Sequence, residues 1–94
     1  MNDLFIKADG SMVAVKPQNA KKGYSLNDLY TMLNCSMVEV VYPRNPPKEI
    51  KDAIMICDEE GLIGEPKPYN HVASVIAGFS IVGDVLLCAS KNFK

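Results

Sequence analysis

The chain has 94 residues, 48% of them hydrophobic and 22% charged, which is the composition of one folded globular domain rather than a disordered segment. Its net charge of −1, with Arg44 the single Arg and the Lys residues scattered, argues against nucleic acid as a partner and equally against an acidic nucleic-acid mimic. A domain of this size buries only about 60–65% of its extended-chain surface, so it folds with a small margin.

The N-terminus lacks the basic, apolar and small-residue order of a signal peptide. Its apolar runs are well short of the roughly 20 residues that span a bilayer, so no membrane role is expected. Cys35, Cys57 and Cys88 are odd in number and far apart, with no CxxC pair. That spacing supplies neither a disulfide framework nor a thiolate metal site, and it suits a reducing cytoplasm. No metal and no cofactor is expected.

Leu4–Ala8, Asp9-Gly10 and Met12–Lys16 predict a β-hairpin over 3–8 and 11–16 with a two-residue turn. Gln18–Gly23 is a polar connection. Ser25-Leu26-Asn27-Asp28 opens a helix, with Ser25 as N-cap and Asp28 at the third helical position. Leu26, Leu29, Tyr30 and Leu33 fall on one face, and Asn34 or Cys35 ends the helix. Met37–Tyr42 is a strand that stops at Pro43, and the Pro43–Pro47 stretch is a loop. Ala53–Cys57 is almost wholly apolar, as an interior strand covered on both faces would be. Asp58–Gly61 is a turn.

Pro68 or Asn70 begins a second helix, with Val72, Ala73, Val75 and Ile76 at packing positions and Gly78 as its C-cap. Phe79–Ala89 predicts a last strand that Gly83-Asp84 interrupts with a bulge or bend. The tail, 90–94, is polar and expected to fray. The order is ββαββαβ in one domain spanning 1–94. The fold class is α+β: a mixed, mainly antiparallel sheet with two helices packed on one face.

The set Ser25-Leu26-Asn27-Asp28-Leu29, Val38-Glu39-Val40-Val41, Asp58-Glu59-Glu60-Gly61, Asn70-His71-Val72-Ala73 and Ile81-Val82-Gly83-Asp84-Val85-Leu86 resembles a family of small uncharacterised proteins. These belong to phages, plasmids and other mobile elements of gut bacteria. The resemblance runs from about residue 4 to residue 88. The Pro43–Pro47 loop and Phe79-Ser80 depart from the family pattern. No activity is established for the family, so the resemblance implies context and no mechanism.

Five residues are candidate ligand-binding positions: Asn70, His71, Asp84, Asp58 and Glu60. Asp58, Glu59 and Glu60 could offer oxygen ligands to a divalent cation, but Asp-Glu-Glu-Gly without calcium-loop spacing is the composition of a solvated turn. His71, the sole His, is the side chain best suited to neutral-pH base chemistry, paired with Asp84 or Glu60. The plainer reading makes Asn70 an N-cap and His71 a first-turn surface residue. Cys57 precedes three acids, which would raise its pKa, so Cys57 and Cys88 read as packing thiols. Tyr24 and Tyr69 each precede a helix and suit hydrophobic staples or a partner surface.

No catalytic residue is assigned. These features favour a non-enzymatic cytoplasmic module that binds a protein or a small molecule. The alternatives are a small hydrolase or nucleotide-handling enzyme using His71, and a structural homo-oligomer.

Overall fold

A computed structural model describes residues 2–93. The elements are β1 (Asp3–Ile6), β2 (Met12–Val15), α1 (Leu26–Leu33), β3 (Val38–Val41), β4 (Ala53–Asp58), α2 (His71–Ala77) and β5 (Val85–Ala89), closed by a 3-10 turn at Ser90–Asn92. They form the expected α+β fold, ββαββαβ. The strands make one sheet in the order β2-β1-β5-β4-β3. Each neighbouring pair is antiparallel, so the sheet is not mixed.

The helices lie on opposite faces of the sheet, where one shared face was expected. Leu29 and Leu33 of α1 pack with Ile54, Ile56, Leu86 and Cys88. Ala73 and Ala77 of α2 pack with Met55, Cys57, Val85 and Leu87. Successive strand residues point to opposite faces, so β4 and β5 each divide between the two cores. Their uninterrupted apolar sequence follows from having no solvated side.

Local chemistry sets the turns. The hairpin turn is longer than the two residues expected. Lys7 N–H donates to the Ser11 carbonyl (2.9 Å), Gly10 N–H donates to the Lys7 carbonyl (3.0 Å), and Gly10 sits at φ +96°. This is a three-residue loop ending in a left-handed Gly. Asp9 accepts from both the amide and the hydroxyl of Ser11, which hold its carboxyl below the usual carboxylate range.

Helix α1 starts as expected. Ser25 Oγ accepts from Asp28 N–H, and the Asp28 carboxylate accepts from Ser25 N–H, a reciprocal capping box. Tyr24 is buried in the same core as Leu29, completing a staple. Leu26 is exposed, and Met32 packs against the core in its place.

Asn70 caps α2 and left-handed Gly78 ends it. Val75 is exposed, while Ser74 and Ala77 are buried. The Pro43–Pro47 loop caps the far end of this helix: Arg44 and Asn45 N–H donate to the Ala77 and Ile76 carbonyls at 3.1 and 2.9 Å. These bonds satisfy last-turn carbonyls that have no partner within the helix.

The last strand starts later than expected, at Val85, because the chain bends at Gly83 (φ +77°). The described part of the tail is docked rather than frayed. Tyr24 N–H donates to the Asn92 carbonyl at 2.8 Å, and Phe93 packs on the α1-side core. Lys94 lies outside the described residues.

Candidate functional site

Asn70 is fully buried and its polar groups are committed. Its Nδ2 donates to the carbonyls of Ile6 (3.1 Å) and Gly83 (2.9 Å), and its Oδ1 accepts from Ala73 N–H. Its backbone carbonyl accepts from the Ser74 hydroxyl at 2.6 Å. One side chain thus joins β1, the bend before β5 and the start of α2. Asp84, next to the bend, accepts from Ala8 N–H at 2.9 Å and fixes the end of β1.

Lys67 forms a second clasp. Its Nζ donates to the Leu33 and Asn34 carbonyls at 2.9 and 3.0 Å and pairs with Asp58 at 2.9 Å. A cation at the C-terminal end of α1 satisfies its last carbonyls and opposes the helix dipole. The same contact ties α1 to the end of β4. Asp58 Oδ1 also accepts from Glu60 N–H (2.9 Å), which closes the acidic turn.

With its base held this way, the 59–63 turn carries two apolar side chains outward. Leu62 is 71% exposed and Ile63 69%. Phe79, just after α2, is 45% exposed and lies across a groove of about 190 Å³ from them. The groove is also lined by Glu39 of β3 and by Cys57, Asp58 and Glu59. The Cys57 thiol is pushed up to about 12, first by burial and then by the Glu39 and Asp58 carboxylates. It is a packing thiol and not a nucleophile.

A larger groove, about 340 Å³, runs between β2 and α1 over Val15, Lys16, Tyr24 and Met32. Its polar groups are mostly spent internally. The Tyr24 hydroxyl donates to Asp3 (2.8 Å), Asp28 belongs to the cap, and Thr31 donates to the Asn27 carbonyl. Burial, then the Asp3 hydrogen bond, holds the Tyr24 phenol well above its usual pKa. Lys16 and Gln18 are the polar side chains left there to meet a ligand.

The five candidate residues do not converge on one centre. His71 is exposed on the first turn of α2, beside the Tyr69 ring at 6.3 Å. Asp84 lies in a groove with Leu33, Asn34, Lys67, Pro68 and Gly83, which His71 does not line. Glu60 accepts from the Ser36 hydroxyl at 3.4 Å. Only Asp58 lines the Leu62–Phe79 groove, with Glu60 adjoining it in the turn. Among the described residues, no group of three His, Cys, Asp or Glu could hold a metal ion, and no helix is long and apolar enough to cross a membrane.

Sequence reasoning passed over Leu62, Ile63 and Phe79. The available signal was an apolar pair inside a segment broken by Gly61, Gly64 and Pro66. Lys67 carried no signal, because two of its partners are backbone carbonyls more than thirty positions away.

Fold and site define a small three-layer domain, a five-stranded antiparallel sheet between two short helices, with an apolar groove at the β3–β4 side. Residues 3–93 match the domain of unknown function DUF3846, and the chain belongs to that family. No curated protein and no solved structure matches it.

Proposed function

We propose that this domain is a non-enzymatic binding module whose ligand is a protein, engaged at the Leu62–Ile63–Phe79 groove. The observation that carries the reading is the outward projection of Leu62 and Ile63 from a turn that is itself tied down, with exposed Phe79 lining the same groove from the end of α2. Exposed apolar groups gathered around one groove mark interaction surfaces. The groove, at about 190 Å³, is smaller than the roughly 300–1,000 Å³ of small-molecule sites, which favours a protein over a metabolite. Asp58 and Glu60 border this surface, while Asn70 and Asp84 act as its frame. On the resemblance described above, we place the module in the bacterial cytoplasm as a product of a phage, plasmid or other mobile element.

The test is affinity capture from host lysate with mass spectrometry, using the wild type, Ile63→Asp and His71→Ala. A protein held by the wild type and His71→Ala but lost with Ile63→Asp supports the module. His71→Ala should change stability by less than about 0.5 kcal/mol, as an exposed substitution does. Loss of capture or phenotype with His71→Ala at an unchanged melt overturns the module. That result would favour the hydrolase reading, with His71 acting alongside Asp84 or Glu60. Equal capture by Ile63→Asp removes the groove.

A further inference from the structure

The groove opens beside β3, which ends the sheet. In the β3–β4 ladder Val38 faces Asp58, Glu39 faces Cys57, Val40 faces Ile56 and Val41 faces Met55. Glu59 N–H donates to the carbonyl of Met37, its direct partner, at 3.1 Å. Hydrogen-bonded and non-bonded pairs alternate along an antiparallel ladder, so Glu39 and Val41 bond to β4. Val38 and Val40 therefore turn their N–H and C=O groups to the open edge.

The charged residues that line the groove have one sign. Glu39, Asp58 and Glu59 line the groove, and no Lys or Arg does. Lys67 neutralises Asp58. The Glu39 and Glu59 carboxylates remain. We propose that the occupant is a basic, strand-forming segment of a partner protein, laid along β3 as a sixth strand; this rests on the binding reading above. Its Lys or Arg side chains lie on the α2 face, with their aliphatic stems along the Leu62–Ile63–Phe79 groove and their charged heads against Glu39 and Glu59, and its apolar side chains lie on the α1 face over Val38 and Val40. Main-chain bonds supply affinity in such strand addition, and alternate side chains supply selectivity. A second copy of this chain is the poorer occupant. The antiparallel register that pairs Val38 with Val40 sets Glu39 directly against Glu39, a destabilising like-charge pair.

The probe is an end-blocked octapeptide alternating Val and Lys, titrated into the ¹⁵N-labelled protein and followed by amide chemical shifts. An octapeptide alternating Val and Glu is the control. We expect saturable shifts centred on the Val38 and Val40 amides, weakened by salt, with the Val/Glu peptide binding about tenfold less tightly. Glu39→Lys should abolish that preference, because the added cation balances the remaining Glu59. Val40→Pro should abolish binding, because it removes an outward N–H and leaves the β3–β4 ladder intact. Should Val40→Pro fail to fold, Glu39→Lys carries the test. Shifts confined to the other edge, β2, equal affinity for the two peptides, or no shift at millimolar peptide would each overturn the proposal. If Ile63→Asp still abolishes partner capture in that event, strand addition falls while the binding module stands.

Discussion

At the scale of single residues, Gly83 and Asn70 show how little chain is needed to set the site's frame. Gly83 holds φ +77°, and a Cβ there would lie 2.9 Å from Cδ of Lys67, a side chain pinned at its far end by three partners. A β-branched residue meets both a left-handed backbone and that stem. We expect Gly83→Val to cost about 1–3 kcal/mol, with calorimetry as the measurement; an unchanged melt would remove the strain. The bend was legible in the sequence, since a Gly-Asp pair inside an aliphatic run weakens a flat ladder and marks a bulge or a close backbone approach. The role of Asn70 was only half legible. Its cap on Ala73 is local chemistry, but its bonds to Ile6 and Gly83 cross the fold and leave no trace in sequence spacing.

At the scale of elements, the helix caps followed from neighbouring residues, but the groups that hold the last-turn carbonyls did not. The Ser25–Asp28 box lies within one turn, so propensity alone announces it. Ser25→Ala should destabilise by about 0.5–2 kcal/mol in urea melts, and Ser25→Asp should restore most of the loss. The end of α1, by contrast, relies on Lys67, and the end of α2 relies on Arg44 and Asn45. These partners arrive only when distant loops dock. Lys67→Met should cost about 1–3 kcal/mol, because Asp58, with its side chain 8% exposed, loses its cation while two carbonyls lose a donor. A double-mutant cycle with Asp58→Asn should show coupling between the two sites. Strict additivity would mean that the ion pair contributes nothing. Because the clasp holds the turn bearing Leu62 and Ile63, hydrogen exchange across 59–66 should rise in the same variant.

For the molecule as a whole, two cores meet across one sheet, and each buries a thiol from a central strand: Cys57 on the α2 side and Cys88 on the α1 side. Burial is the first cause raising both from an ordinary 9.0 to about 12, with nearby carboxylates adding to it. The folded state thus favours the protonated thiols. Their contribution is fully present below about pH 9 and is lost as pH rises toward about 12, and the raised Tyr24 phenol adds in the same direction. Urea midpoints measured in reductant should fall between about pH 9 and pH 11. A flat profile would mean that neither thiol is held protonated. The sequence by itself determined the element order, the Ser25, Asn70 and Gly78 caps and the Gly83 bend, because each depends on neighbours a few positions apart. It also carried, in Ile54–Cys57, the sign of a strand with no solvated face, which conflicts with packing both helices on one side. Only the tertiary structure decided that α1 and α2 take opposite faces, that β3 is an edge, and that Leu62, Ile63 and Phe79 share a groove. Strand order and facing arise from burial summed over both cores, and the parts of the groove come from separate loops, so no local pattern encodes them.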